Sequence, residues 1–288
     1  MNRSALAILP LLLVANAGCT VLLSPGEAQC ETAKDCEARG FSGAVCTEGV
    51  CEAPVVVDEV WGCLGHVTEP KPDLTKKVHL AVQLTLAADK SVVTDAMIDV
   101  CDKLDVDCLG TNPDFPKGLA PDSKGLVAFD VVQGFDGFVR VTGPNLMDSR
   151  VYVGRPIITA PKVKEVRLLT VADYGILIAY AGEMLDKTRG TSIILEVDCK
   201  GDSASGVRFE TPNADTQTTP FYLINQIPTA PPTAKETDID GFGGFFNMPV
   251  GSSVARSFRA KDDAYIGESS FQVLANTISY VQIAPTPK

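Results

Sequence analysis

The stretch Thr237-Asp238-Ile239-Asp240-Gly241-Phe242-Gly243-Gly244-Phe245-Phe246-Asn247-Met248-Pro249-Val250-Gly251 narrows the possible folds more than any other. Acidic residues ahead of a glycine are turn formers, and the aromatic run behind them has strand chemistry. Pro249 and Gly251 then make a second turn, so the whole reads as a β-hairpin corner. A fainter copy lies upstream at Asp122-Ser123-Lys124-Gly125-Leu126-Val127-Ala128-Phe129. Asp, Gly and Phe recur there at the same spacing, and the next glycine, Gly134, falls one residue early. Leu86-x-x-Asp89 precedes the first copy roughly as Leu195-x-x-Asp198 precedes the second. Two copies imply two similar β domains, of which the second is better preserved.

The clearest strand covers residues 78–86, where Val78, Leu80, Val82, Leu84 and Leu86 fall on one face and His79, Gln83 and Thr85 on the other. Further strands are expected at 96–100, 126–132 and 138–141, then at 193–199, 204–209, 220–222, 254–258 and 271–283. Short strands parted by Gly, Pro, Asn and Asp turns point to antiparallel sandwiches. Thr170-Val171-Ala172-Asp173 starts a helix with a capping pattern, and Tyr174, Ile178, Ala181 and Leu185 continue at helical spacing to about Asp186. Its apolar stripe serves packing first and partner binding second.

The 288 residues allow two domains with cores of their own. Formal charge is −11, and more than half of the imbalance comes from residues 20–60, where eight acids face Lys34 and Arg39. With no basic stripe, nucleic acid is excluded as a partner. Arg3, the apolar run 5–14 and the small residues before Cys19 form an export signal, too short to span a bilayer. The segment Asn16-Ala17-Gly18-Cys19 resembles the bacterial lipobox, which implies acylation of Cys19 and anchoring to the membrane. Asn16 departs from the usual apolar residue, and Ala15-Asn16-Ala17 alternatively makes a site for release of a soluble secreted or periplasmic protein. Nine cysteines are an odd number, and setting Cys19 aside leaves eight to pair. Thr20 carries no charge of the kind that retains lipoproteins at the inner membrane, so the outer membrane or cell envelope is the expected location.

Cys30, Cys36, Cys46 and Cys51 crowd into 22 residues that cannot build an apolar core, so two disulfides are expected to hold them. Three pairings are open, Cys30 with Cys46 and Cys36 with Cys51 among them. Zinc is disfavoured for want of a Cys-x-x-Cys pair or a nearby histidine. The pattern resembles small cysteine knots of bacterial surface lipoproteins. Cys101 and Cys108 are close enough in sequence to close a loop, which leaves Cys63 to meet Cys199 across the two domains.

Gly206-Val207, Thr237-Asp238, Gly241, Phe245, Pro249 and Gly251 together resemble the carboxypeptidase regulatory-like family of transthyretin-like sandwiches. The resemblance covers residues 190–260 and, more weakly, 75–142; Ser252-Ser253 stand where an aromatic is usual. It implies accessory, stabilising or ligand-presenting modules. The expected fold is therefore mainly β: a signal peptide at 1–19, a tether and disulfide-rich module at 20–58, a first transthyretin-like or Ig-like sandwich at 59–160, a linker with the helix at 161–189 and a second sandwich at 190–288.

No motif for an activated nucleophile, a phosphate loop or a metal-binding helix occurs, so no catalytic residue or cofactor is assigned. His66 and His79 are the two histidines, and His79 is placed on a polar strand face. Asp238 and Asp240 are a weak calcium candidate that lacks further acidic ligands. The function expected is a non-enzymatic, lipid-anchored envelope protein that presents two sandwiches for structural or binding roles, with an envelope protein or glycan as partner. The alternative is an accessory module for carbohydrate or peptide ligands, with Phe221, Tyr222, Phe242, Phe245 and Phe246 as its face; core packing is the competing role of these rings.

Overall fold

The computed structural model describes residues 28–41, 44–52, 58–69, 71–161 and 163–287. The signal segment and Cys19 lie outside the described residues. The chain divides into two units, Met1–Val57 and Asp58–Lys288, each taken by itself here.

In the small unit, α1 (Ala33–Ala38) starts at Thr32, where Asp35 Oδ2 accepts the N–H groups of Glu31 and Thr32 at 2.9 and 2.7 Å. This helix was not expected, although Thr32-x-x-Asp35 is a capping pattern. β1 (Val45–Thr47) and β2 (Val50–Glu52) form a hairpin that pairs Cys46 opposite Cys51. Disulfides Cys30–Cys46 and Cys36–Cys51 pass through its centre, and buried Cys30, Cys36 and Ala44 form the core. Cystine thus replaces the apolar side chains that so short a segment lacks.

The large unit carries β3 (Lys77–Leu86), β4 (Met97–Asp102), β5 (Leu126–Val132), β6 (Gly137–Thr142), β7 (Asp148–Tyr152) and β8 (Lys164–Leu168). After α2 (Val171–Tyr180) come β9 (Gly190–Glu196), β10 (Val207–Glu210), β11 (Thr219–Ile224) and β12 (Ile227–Thr229). β13 (Phe242–Met248), β14 (Gly251–Arg259), β15 (Tyr265–Val273) and β16 (Thr277–Ile283) complete it. The sheet orders show a duplication. β5-β3-β8 faces a run β4-β6-β7, and β13-β9-β16 faces β10-β14-β15, so each half orders its six strands in the same way. The second half inserts the hairpin β11–β12 before its third strand.

Both copies of the sequence repeat fold alike at the turn that defines them. Gly125 N–H donates to Asp122 O at 2.9 Å and Gly241 N–H to Asp238 O at 3.0 Å. Both glycines are left-handed, at φ +74 and +73, which a Cβ would strain. Each glycine carbonyl then accepts from the preceding repeat strand, Gly125 O from Leu84 N–H and Gly241 O from Glu196 N–H, both at 2.9 Å.

The two sandwiches are fused. β7 of the first half pairs in parallel with β16 of the second, making one eight-stranded sheet of order β12-β11-β13-β9-β16-β7-β6-β4. One face of this sheet, with Phe138, Tyr152, Ile194 and Val281, packs on β10-β14-β15. The other face is covered by β5-β3-β8 over Ile98, Val139 and Val151, and by α2 over Ile193, Phe221, Phe246 and Ile278. The mainly-β sandwich expectation holds, but Asp58–Lys288 is one compact unit and not two domains on a linker. Three strand pairs, β3–β8, β16–β7 and β16–β9, are parallel where antiparallel pairing was expected. Each joins strands far apart in sequence, which crossovers through the facing sheet permit. The expected linker at 161–189 contains β8 as well as the helix, and the stretch read as one strand at 271–283 turns at 274–276 into two.

Candidate functional site

All eight cysteines among the described residues are in disulfides. Cys63–Cys199 joins residues 136 apart and ties the start of the large unit to the chain just past β9; Cys101–Cys108 closes a short loop next to β4. Trp61, two residues before Cys63, is buried in the core between the central sheet and β10-β14-β15, so the bridge fixes a segment that also packs. Among the described residues one group could gather around a metal, Cys30, Cys36 and Cys51, and all three are bridged.

Asp238 and Asp240 are engaged by loop amides, two of them from the turn between β11 and β12. Asp238 accepts the N–H of Asn225 at 2.7 Å and of Asp240 at 3.0 Å, and Asp240 accepts from Gln226 Nε2. The calcium candidate thus has both carboxylates directed at loop amides. His79 is exposed and meets Asp130 at 2.8 Å on the outer sheet. His66 is exposed as well.

The aromatics take the core-packing role, and the ligand face of the alternative reading does not form. Phe221, Tyr222, Phe245 and Phe246 are buried. Phe221 and Phe246 stack at 3.9 Å beneath α2, while Tyr222 stacks with Phe209 at 6.0 Å in the opposite core. The reason lies in position. β11, which carries Phe221 and Tyr222, and β13, which carries Phe245 and Phe246, are interior strands covered on both faces, so these aromatics point into two cores and none of the four is left for a ligand. Phe242 alone of the five is half-buried and reaches a groove.

That groove, of about 330 Å³, lies between α2, β8 and β12. Leu169, Ile176, Tyr180, Ile227 and Phe242 line it, with Arg167, Asp173 and Gln226 as polar members. The capping reading holds: Thr170 Oγ1 accepts the Asp173 N–H at 3.0 Å and donates to its carboxylate at 2.7 Å. α2 docks through Tyr174 and Ile178, and Tyr174 reaches Thr191 Oγ1 at 2.6 Å. Its outer side leaves Ile176 and Tyr180 exposed, with Met184 and Ile227 nearby in sequence or across the groove.

Of the strongly perturbed titratable groups, Lys164 and Tyr280 line one cavity together with Glu165, Arg167 and Asp240, while Glu196 lies on the opposite face of β9. Burial pushes the phenol of Tyr280 up, and its hydroxyl donates to Arg167 O at 2.9 Å. Burial pushes the Lys164 amine down to about 8. The Glu196 carboxyl, fully buried on β9 with no hydrogen-bond partner for either oxygen, is held well above the ordinary carboxylate range by desolvation. Sequence reasoning missed both Lys164 and Glu196, because nothing in their neighbours' residue types marks them as inward-facing.

No family model matches the sequence, and no curated protein does. Solved structures with some likeness include the Bacillus anthracis TIE protein, at 13% identity and TM-score 0.26 over 73% of this chain and 34% of that one. A Streptococcal ancillary pilin gives 12% identity and TM-score 0.25 over 74% and 64%. BcpA, the major pilin subunit of Bacillus cereus, gives 11% and 0.24 over 73% and 69%. This chain spans about a third of the first of these and just under two thirds of the second. At these values nothing about those proteins carries over to the arrangement or the work of this one.

Proposed function

We propose that this is a non-enzymatic protein of the cell envelope, exported, held to the outer membrane by a lipid on Cys19, and presenting a rigid double sandwich for structural or binding roles. The observation that carries the reading is the cysteine pairing. Eight cysteines form four disulfides, one of them across 136 residues, which is the usage of an oxidising compartment. The ninth, Cys19, is the residue that the lipobox-like segment marks for acylation. Among the described residues no helix is long and apolar enough to cross a membrane. Several acyl chains on one cysteine would make the anchor durable where a single chain would not.

The binding surface in this reading is the apolar groove beside α2, and its partner an envelope protein or glycan. The likeness of residues 190–260 to carboxypeptidase regulatory-like modules belongs to the same proposal, supported by the left-handed Gly241 turn that leads into β13. Fractionation of cells producing the wild type and Cys19→Ala tests the anchor. The wild type is expected in the detergent-extractable membrane fraction and the variant in the soluble fraction; equal partition of the two overturns it.

A further inference from the structure

We propose that the cleft beside β8 binds an acyl chain ending in a single carboxylate. The cleft holds about 340 Å³ between β3 and β5 of the outer sheet, β6 and β7 of the central sheet, and the loop that leads from β7 to β8. Leu80, Val82, Phe129, Val139, Val151 and Ile157 give it apolar walls. Two cations line it, Arg155 and Lys164, and among the described residues no acid does. That balance is the reverse of the chain's own, which is −11 overall.

Lys164 shares the core-facing side of β8 with Val166 and Leu168, and its Nζ donates to Gln282 Oε1 at 2.7 Å. Arg155 Nη1 donates to Pro285 O at 3.4 Å. Both acceptors are neutral, and among the described residues neither cation has a carboxylate within ion-pair distance. Both cations are half-buried, and partial desolvation without a counter-charge lowers the basicity of Lys164. A ligand carboxylate supplies the missing charge, and its alkyl tail takes the apolar walls. Pockets for small amphiphiles have this make-up, mostly apolar with a few placed polar groups.

An extended peptide suits the cleft less well. Lys164 stands on the core-facing side of β8, the edge strand of its sheet, and an inward-pointing lysine discourages strand addition at a sheet edge. The proposal is independent of how the protein is anchored.

Calorimetric titration of the purified mature chain at pH 7 with decanoate and with decanol tests it. Decanoate is expected to bind saturably, one per chain, and decanol about tenfold more weakly, the loss of one charge-assisted contact. Lys164→Met and Arg155→Gln should each weaken decanoate about tenfold and leave decanol unchanged, while Lys164→Arg keeps the preference. Thermal unfolding of each variant verifies folding, and Arg155→Gln with Lys164→Arg carry the test if Lys164→Met does not fold. Absence of saturable binding, equal affinity for acid and alcohol, or an unchanged preference in Lys164→Met overturns the proposal. In the last case a variant that also self-associates shows the lysine to be an edge guard alone.

Discussion

Replacing Glu196 with glutamine should make the protein more stable at neutral pH and leave it almost unchanged near pH 4.5. The carboxyl stands on β9, wholly buried, facing β10-β14-β15 with no partner for either oxygen. Ser257 lies beside it, but that hydroxyl donates to Gly267 O at 3.3 Å. Desolvation therefore favours the protonated form in the folded chain and raises its pKa well above the ordinary carboxylate range. For an acid raised in this way, the folded state holds a proton that the unfolded state has released. The stability tied to that proton is complete below the unfolded pKa and falls by about 1.4 kcal/mol per pH unit as pH rises above it, until the raised folded pKa is reached. Glutamine keeps the shape and the polar burial but removes the titration. Above pH 5 the variant should gain steadily on the wild type until the raised carboxyl pKa is reached. Urea unfolding of both chains at pH 5, 6 and 7 with disulfides intact reads the difference directly. Asp58, Asp122 and Asp215, all lowered by hydrogen bonds and neighbouring cations, titrate in both chains and cancel. A difference that stays flat from pH 5 to pH 7 refutes the reasoning.

Three further outcomes are expected. Cys63→Ser with Cys199→Ser should cost about 5 kcal/mol by loop-closure entropy and Cys101→Ser with Cys108→Ser about 2.4, so denaturant midpoints should rank the first pair as the more damaging; the reverse order contradicts the account. Thr170→Ala removes the α2 cap and should cost about 1 kcal/mol in the same assay, with no loss if the cap is idle. Gly244 sits at φ +155, and a Cβ there would collide with Ser192 O, so Gly244→Ala should separate β13 from β9 and leave little folded protein by circular dichroism. A native-like spectrum with an unchanged midpoint would show that the sheet gives way easily at this point.

The repeat was legible because its signal is local. An Asp and a Gly three residues apart dictate the same turn wherever they occur, and Leu126, Val127 and Phe129 after one turn behave like Phe242 and Phe245 after the other. The strand 78–86 was legible for a similar reason, with Val78 and Leu80 buried on either side of exposed His79. What escaped was everything decided by long-range contact. The fusion through β7 and β16 leaves no trace in spacing, since Ser149 and Ile278 meet only in the folded sheet. Core packing is the favoured reading of Phe221 and Phe246, and coverage by α2 supplies the core that the sequence does not place. Lys164 falls in the stretch expected to be a linker, and its inward direction is set by the register of β8 on β3. The four disulfides lie between these extremes: residue spacing set out the choices within residues 30–51, and parity suggested the rest.

The most direct test of the account is the intact mass of the mature protein extracted in detergent from the envelope, measured with and without reduction and alkylation. The account predicts a chain that begins at an acylated Cys19, with eight cysteines that take up alkylating reagent only after reduction. A lipid-free chain beginning upstream of Cys19, or cysteines beyond it that alkylate without reduction, would contradict the anchored, four-disulfide reading.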